Sequence, residues 1–249
     1  MTCTQNQLTQ AFNTLLTPER FKDYGPNGLQ VEGKAQICKV VSGVTASLAL
    51  IDAAIAAQAD AIFVHHGLFW RGHDGRVLGW MKQRLAKLLA HDINLYAYHL
   101  PLDAHPELGN NAQLGKLLGF APTGRFGEQD IGWLGTCSFA SGAELAQHLE
   151  LKLKRGNVSV IPSHNAIKKV AWCTGGAQGY FEAAIAAGVD AYITGEISEP
   201  QAHYAREMGV AYIACGHHAS ERYGAPAAAA HVCGELGLEH QFIDVDNPA

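Results

Sequence analysis

Short apolar runs and helical segments alternate along the first hundred residues of the chain. The predicted elements are a strand at Lys39–Val44, a helix from Thr45 to Gln58, a strand at Ala61–Val64, a helix at Met81–His91 and a strand at Ile93–Tyr98. The strand at Ala61–Val64 is apolar at successive positions, which is typical of strands covered on both faces by helices. This alternation predicts an α/β fold with mostly parallel strands.

The pattern recurs in the second half of the chain. Lys39–His66 aligns without gaps with Lys169–Glu196, and Val210–Ala214 then corresponds to the strand before His99. Ala-rich helices also resemble one another through composition alone, but here the flanking strands agree in order as well. We therefore expect two related α/β lobes.

The repeat suggests where these lobes begin and end. We expect a first lobe at residues 1–125, with the segment 215–249 returning to it, and a second lobe at residues 126–214. In this alignment His66 corresponds to Glu196, and His99 corresponds to His217.

Composition narrows the setting. The 249 residues carry a net charge of -5, which argues against a protein that mainly grips nucleic acid, although a local basic groove is compatible with it. The six cysteines are scattered without a C-x-x-C pair, so we expect no disulfides and a cytoplasmic location. The N-terminus lacks the pattern of a signal peptide, and no run of 18 apolar residues predicts a membrane span.

Histidines and carboxylates follow three of the predicted strands. The candidate ligands are His65 and His66, His99 with Asp103, and His217 with Glu221. The carboxyl ends of parallel strands form the edge at which open α/β sheets bind ligands. A single histidine at a strand end is more often a hydrogen-bonded structural residue, and Asp103 alone would serve as a helix cap. Together these groups exceed the needs of one tetrahedral ion, which favours two metal ions.

Spacing adds detail to this metal hypothesis. Neighbours in a strand point to opposite faces, so His65 and His66 meet one cluster only if the strand ends and turns at Gly67, or else each binds its own ion. A helix after the last strand would place His217 and Glu221 one turn apart on one face. His218 would then point elsewhere, towards a substrate or a neighbouring ligand.

Several longer motifs make the chain similar to a known family. The motifs are Asp23–Gly33 (DYGPNGLQVEG), Val64–Gly67 with Phe69-Trp70, His99–Asp103 (HLPLD), Gly109–Ala112, Thr194–Glu196 and Gly216–Arg222 (GHHASER). They resemble the YbgI-like, or NIF-three-like, proteins with a dinuclear metal centre, which many genomes label GTP cyclohydrolase 1 type 2.

The resemblance implies a site and an assembly. It implies two α/β lobes and a toroidal homohexamer whose sites face the inner cavity. It also implies two metal ions per subunit, held by His65, His66, Asp103, His217 and Glu221, with His99 close by.

Imidazole and carboxylate ligands suit Fe, Zn, Mn, Co or Ni better than Ca or Mg. Two such ions about 3.5–4 Å apart activate water for hydrolysis, and Glu221 or Asp103 is the candidate bridging carboxylate. His99, if it is not a ligand, and Glu196 are candidate general bases. Glu196 is alternatively a plain carboxylate at a helix start.

The turn at Gly175-Gly176 precedes a predicted helix, and its backbone N–H groups could bind an anion such as phosphate; a tight connection is the commoner explanation. The sequence thus predicts a dinuclear-metal hydrolase of nucleotides or phosphoesters, possibly with GTP cyclohydrolase-like activity. The alternative is a non-catalytic metal-binding ring, either a metal chaperone or a scaffold that engages DNA or a regulator.

Overall fold

The computed structural model describes residues 1–249, which divide into two compact units. The first unit comprises Met1–Gly109 and Gly224–Asp246, and the second comprises Asn110–Tyr223 and Asn247–Ala249. The C-terminal segment therefore returns to the first unit from Gly224 and not from residue 215. The boundary expected at residue 125 also moves, because the helix at Asn110–Leu118 buries Leu114 and Leu118 in the core of the second unit.

The first unit contains a five-stranded sheet and a short two-stranded ribbon. Its strands are β1 (Cys3–Thr4), β2 (Gly28–Val31), β3 (Gln36–Ile37), β4 (Lys39–Thr45), β5 (Ala61–His66), β6 (Asn94–Ala97) and β13 (Glu239–Phe242). The sheet has the order β13-β4-β5-β6-β2, and β1 pairs with β3. All neighbours in the larger sheet are parallel except β2, which runs antiparallel to β6.

Helices cover both faces of this sheet. The helices of the first unit are α1 (Gln5–Leu16), α2 (Leu48–Ala56), α3 (Gly79–Ala90), α4 (Leu100–Ala104) and α10 (Gly224–Leu236). One face packs against α1 and α10, and the opposite face packs against α2 and α3. Helix α2 begins where the sequence predicts, because the Ser47 side chain accepts the N–H of Leu50 at 3.2 Å.

The second unit is built on a six-stranded mixed sheet. Its strands are β7 (Ala121–Phe126), β8 (Gly132–Phe139), β9 (Ser159–Ile161), β10 (Ile167–Trp172), β11 (Ala191–Thr194) and β12 (Ala211–Ala214). The order is β7-β8-β10-β11-β12-β9, in which β10, β11 and β12 are parallel and the outer strands are antiparallel to their neighbours. Its helices are α5 (Asn110–Leu118), α6 (Gly142–Leu153), α7 (Phe181–Ala186), α8 (Glu199–Met208) and α9 (His217–Glu221).

The internal repeat exists in three dimensions. In the first unit Val40 pairs with Ala61, and in the second unit Val170 pairs with Ala191, so β4-β5 and β10-β11 share one register. The predicted α/β class with two related units is therefore confirmed. The antiparallel strands at the edges of the second sheet are additions that the repeat did not predict.

One predicted equivalence within the repeat is off by one position. Val64 pairs with Ala97, and its counterpart Thr194 pairs with Ala214. Two residues beyond these partners lie His99 and Gly216, so His217 is one position past the residue equivalent to His99. The repeat therefore preserves the strands but not the exact ligand positions at their ends. No helix is long and apolar enough to span a bilayer.

Candidate metal centre

His65 and His66 are the last two residues of β5. Their ring centroids are 4.5 Å apart, although both belong to the strand, so the expectation that the strand ends before them is wrong. His65 is fully buried, and its Nδ1 donates to the carbonyl oxygen of Tyr98 at 3.1 Å. Nδ1 of His66 lies 3.0 Å from Oγ1 of Thr45. The backbone and the neighbouring strand thus fix both imidazoles.

Gly67 has a different purpose from the turn expected of it. It is not among the glycines with positive φ. A Cβ there would lie 2.2 Å from Oε1 of Gln30, which accepts the N–H of Leu68 at 2.8 Å. Gly67 therefore leaves the space that Gln30 needs, and this contact ties the loop before β2 to the end of β5.

His99 lies two residues after β6 and is held by Asp23. The His99 Nδ1 donates to Asp23 Oδ1 at 2.7 Å, and the His99 backbone N–H donates to Asn27 Oδ1 at 2.7 Å. Asp23 also accepts the backbone N–H of Leu100 at 2.9 Å and the side-chain amide of Asn27 at 2.9 Å. The polar loop at Asp23–Asn27 is thus the structure that positions His99.

These interactions explain the acidity of Asp23. Burial alone would raise its pKa, but the hydrogen bond and charge of His99, followed by the bonds from Asn27 and Leu100, lower it to about 2. The carboxylate is therefore ionised near neutral pH, and it fixes Nδ1 of His99 as the protonated nitrogen. Nε2 of His99 is then the nitrogen with a lone pair.

Asp103 lies in α4, directly after His99. It is buried, and its Oδ1 is 3.5 Å from Nε2 of His65. Pro101 lies in the first turn of this helix, where its missing N–H leaves no intrahelical acceptor unpaired. The prediction that Pro101 stops the strand is confirmed, and the short helix turns Asp103 towards His65.

The first unit thus contains a compact ligand cluster. His65, His66 and His99 each offer a ligand atom, and these three atoms lie within 4.8 Å of one another. Asp103 adds a carboxylate beside His65. All four residues were predicted from the sequence as metal ligands, and the fold brings them together.

The second unit carries an imidazole and a carboxylate on one helical turn. His217 and Glu221 are the first and last residues of α9, and His217 Nε2 lies 3.3 Å from Glu221 Oε2. The predicted spacing of one turn on one face is confirmed. Glu221 is buried, so the fold keeps this carboxylate away from bulk water.

Glu196 holds the other side of the His217 ring. Its Oε1 accepts from His217 Nδ1 at 2.6 Å, and its Oε2 accepts from Nε2 of Gln178 at 3.2 Å. Burial alone would lower the pKa of His217, but Glu221 and then Glu196 raise it to about 9. Glu196 therefore contacts His217 in the way that Asp23 contacts His99.

Gly175 lies against this pair. Its φ is +70°, and a Cβ there would be 2.2 Å from Glu221 Oε1 and 3.2 Å from His217 Nε2. Its N–H donates to Ser220 Oγ at 2.9 Å, and the N–H of Ala177 donates to Thr194 Oγ1 at 3.2 Å. These two amides are therefore engaged within the unit and do not form the anion cradle predicted for this turn.

The other two residues assigned to substrate lie close by. A Cβ on Gly176 would be 3.4 Å from Glu196 Oε2, so this glycine lies against Glu196. The short helix α7 that follows begins only at Phe181, after a 3-10 turn at Gln178–Tyr180. His218 is buried, and its backbone N–H donates to the carbonyl oxygen of Ala249 at 3.1 Å. The contacts of both residues are thus made with the second unit itself.

One feature is common to the four histidines of the two units. Each has Nδ1 within hydrogen-bond distance of a fixed oxygen: Tyr98 O for His65, Thr45 Oγ1 for His66, Asp23 Oδ1 for His99 and Glu196 Oε1 for His217. Metal-bound histidines in proteins characteristically use one ring nitrogen for the ion and the other for such a contact. This arrangement leaves Nε2 as the common ligand atom.

The distances between donors also suit a metal ion. Two ligands that are each about 2.1 Å from a tetrahedrally bound ion lie about 3.4 Å from one another. The Nε2–carboxylate distances are 3.5 Å for His65 and Asp103 and 3.3 Å for His217 and Glu221. The residues present in each unit therefore fit a divalent transition metal in both donor type and spacing.

Sequence reasoning missed the groups behind the ligands. Asp23 and Asn27 belong to a motif that was noticed, but no role was assigned to them, and Thr45 was interpreted only as part of a helix cap. A buried-type polar cluster in Asp23–Asn27 was the available signal. Its partner, His99, is too distant in sequence for spacing to have identified it.

Paired α/β units with imidazole and carboxylate groups at their strand ends define a class of α/β protein with candidate metal-binding clusters. The family model Duf34/NIF3 (NGG1p interacting factor 3) matches residues 3–248, and the chain belongs to this family. The family expected from the sequence motifs is thus confirmed.

Relatives and a solved structure agree with this assignment. A Neisseria meningitidis serogroup A protein named GTP cyclohydrolase 1 type 2 homolog is 54% identical over 239 residues, covering 95% of this chain and 96% of the relative. A Pseudomonas aeruginosa protein of the same name is 49% identical, covering 97% of both chains. A structure described as protein ybgI, of unknown function, has a TM-score of 0.95 and 46% identity, covering 99% of this chain and 100% of the other.

Proposed function

We propose that this protein is a hydrolase that depends on two divalent transition-metal ions. The ligands are His65, His66, His99, Asp103, His217 and Glu221. The observation that carries the proposal is the contact made by Nδ1 of every one of these histidines with a fixed oxygen. Such contacts orient an imidazole for metal binding, and a histidine that serves only in packing does not require them.

The number and type of donors support a pair of ions. Four imidazoles and two carboxylates exceed the four ligands of a single tetrahedral site, and a catalytic site also keeps a position open for water or substrate. Mixed nitrogen and oxygen donors favour Fe, Zn, Mn, Co or Ni. When bound, such ions would polarise an attacked oxygen and lower the pKa of water from 15.7 to about 7.

The residues of the chain would orient the site and transfer protons. Asp23 stabilises a positive charge on His99, so His99 can accept a proton if it does not bind metal. Glu196 is already engaged by His217 and Gln178, which favours a positioning role over that of general base. Either Asp103 or Glu221, both buried, can provide the carboxylate shared by two ions.

The substrate class follows from the relatives. The relatives from Neisseria meningitidis and Pseudomonas aeruginosa are named GTP cyclohydrolase 1 type 2 homolog. We propose that this chain acts on a nucleotide or another phosphoester, with GTP as the first compound to test. The resemblance of the sequence motifs also implies a ring-shaped homohexamer, which a measurement of molar mass by light scattering would test.

The decisive experiment combines metal analysis with turnover. Protein freed of metal is loaded separately with Fe, Zn, Mn, Co and Ni, its bound metal is counted, and it is offered GTP, other nucleotides and simple phosphoesters. We expect close to two ions per chain and turnover with at least one metal. His65→Ala and Glu221→Ala should each reduce bound metal and abolish turnover while circular dichroism stays unchanged.

A matched control separates these effects from general damage. His91 is an exposed histidine at the C-terminal end of α3, and His91→Ala should leave both metal content and turnover unchanged. Two ions per chain without turnover on any compound would contradict the hydrolase and favour a metal-binding scaffold or chaperone. Bound metal that is unaffected in both His65→Ala and Glu221→Ala would contradict the assigned ligands.

A further inference from the structure

Two aromatic side chains flank the imidazole of His99. The ring of Trp70 meets it edge-on, with centroids 5.1 Å apart and an interplanar angle of 89°. The ring of Tyr24 approaches in the same edge-on manner at 6.0 Å. Trp70 also lies 6.0 Å from the ring of His66, so both aromatic residues border the ligand cluster of the first unit.

The backbone holds the two aromatic residues in place. The N–H of Arg71 donates to the carbonyl oxygen of Tyr24 at 2.6 Å, and the guanidinium of Arg71 donates to the carbonyl oxygen of Asp23 at 2.7 Å. A Cβ on Gly25 would lie 2.4 Å from the carbonyl oxygen of Phe69 and 3.4 Å from Cε3 of Trp70. The Tyr24 loop and the Trp70 loop are therefore in direct contact, and their aromatic rings are preorganised.

This arrangement is not explained by core packing. The side chain of Tyr24 is 57% exposed, and Trp70 is half-buried, whereas the buried aromatic residues of this unit lie in the sheet core. Between the two loops a small pocket reaches down to His65 and His99. A rigid aromatic surface beside a pocket is a typical binding surface for a planar ring, because stacking needs little further ordering of the side chains.

A positive charge accompanies the aromatic rings. Arg71 is exposed and lies in none of the ion pairs of this region, whereas Arg76 in the same loop is paired with Asp74. The Arg71 guanidinium is fixed by a single bond to a backbone carbonyl, so its charge is not neutralised by that contact. Such a group suits an anionic substituent, since arginine binds phosphate and carboxylate through several donors.

We infer that Tyr24, Trp70 and Arg71 form a recognition site for a planar heteroaromatic ring that carries an anionic group. The site deepens the proposed function, because it names the substrate class of the neighbouring ligand cluster. Binding at this site does not require turnover, so the two proposals can fail separately.

The test measures binding to the full-length protein with and without added Zn²⁺. The probes are guanosine 5′-monophosphate and adenosine 5′-monophosphate, which have ring and phosphate, together with guanosine, which lacks the phosphate, and ribose 5-phosphate, which lacks the ring. We expect the two nucleotides to bind more tightly than either partial probe. Their binding should quench the fluorescence of Trp70.

Variants assign the binding to the proposed residues. Tyr24→Leu keeps apolar bulk but removes the aromatic face, and it should weaken nucleotide binding about ten-fold, while Tyr24→Phe should retain it. Arg71→Gln should weaken binding of the nucleotides but not of guanosine. The quenching should vanish in Trp70→Phe and persist in Trp80→Phe, because the exposed ring of Trp80 contacts His73 and Arg84 instead.

Several results would overturn the inference. One is equal binding of ribose 5-phosphate and the nucleotides, and another is unchanged affinity in Tyr24→Leu. Absence of binding by every ring-containing probe, together with a change of oligomeric state in Tyr24→Leu, would identify Tyr24 as an interface residue. Turnover of a phosphoester without a ring would leave the hydrolase intact and count against this recognition site.

Discussion

The carboxylate of Asp23 supports His99 from the side opposite to Nε2, with 2.7 Å between Asp23 Oδ1 and His99 Nδ1. The second oxygen of the same carboxylate accepts the N–H of Leu100 at 2.9 Å, at the start of helix α4. One buried side chain therefore fixes both a candidate ligand and the helix that carries Asp103. Damage to Asp23 should reach two ligands at once.

Replacement of Asp23 by Asn tests this relationship. The amide is nearly the same size, but it removes the negative charge and no longer determines which nitrogen of His99 is protonated. We expect Asp23→Asn to lower metal affinity about 10- to 100-fold, the usual effect of losing such a supporting group. Competition with a chromophoric chelator would measure it.

The control for Asp23 is another aspartate of the first unit. Asp74 is exposed and pairs with Arg76, so Asp74→Asn should leave metal affinity unchanged. Circular dichroism of both variants would report on folding. A normal metal affinity in a folded Asp23→Asn protein would show that His99 needs no support, or that it is not a ligand.

Gly175 gives a second prediction, which concerns space beside Glu221. A Cβ at this position would lie 2.2 Å from Glu221 Oε1, so Gly175→Ala must displace that carboxylate. We expect the variant to bind at least about ten-fold less metal at limiting concentration, because a ligand leaves its position. The left-handed backbone should add about 1–2 kcal/mol of destabilisation.

Gly188 separates the two effects. Its φ of +71° is nearly that of Gly175, but a Cβ there would meet nothing within 4 Å. Gly188→Ala should therefore lose a similar amount of stability and keep full metal binding. Equal metal affinity in the two alanine variants would refute the steric argument, and chemical denaturation would establish that their backbone strain is comparable.

The sequence predicted the strands of the repeat and their ligand-bearing ends because hydrophobic pattern is local. β4, β5 and β6 lie within two residues of their expected bounds, apart from the extension of β5 through His66. His217 and Glu221 were also predictable, since one helical turn relates them directly. Fold class and candidate ligands therefore followed from short stretches of chain.

The supporting groups could not be predicted because they come from distant segments. Asp23 and His99 are 76 residues apart, and no periodicity connects a loop before β2 with the end of β6. Gly67 and Gly175 were interpreted as turn residues, whereas the structure uses them to admit Gln30 and Glu221. Close approach of one side chain to another backbone is a property of packing and leaves no local pattern.

The third prediction concerns an aspartate that the repeat places at the start of β5. Oδ2 of Asp60 accepts the N–H groups of Cys38 at 2.8 Å and Lys39 at 3.1 Å, and Oδ1 accepts from Lys34 Nζ at 2.6 Å. Asp190 accepts the N–H groups of Lys168 and Lys169 in the equivalent way. The shared bonds indicate that this carboxylate stabilises the strand pair in each unit.

Stability should depend on pH through Asp60. Burial alone would raise its pKa, but the bond from Lys34 and the bonds from the two amides lower it below the usual value. A depressed pKa in the folded state stabilises the protein above the unfolded pKa of about 3.9, and this contribution disappears as the pH falls through the folded value. Asp60→Asn should therefore be less stable than the parent at pH 7, with a difference that shrinks below about pH 4.

Denaturant titrations between pH 3 and pH 7 would measure this difference. Lys34→Met serves as the matched variant, because it removes the cation and retains both amide bonds to Asp60. Lys34 is partly exposed, so the ion pair is screened, and we expect Lys34→Met to cost less stability than Asp60→Asn at neutral pH. A larger loss in Lys34→Met, or a difference for Asp60→Asn that does not change with pH, would show that the amide bonds do not determine the role of Asp60.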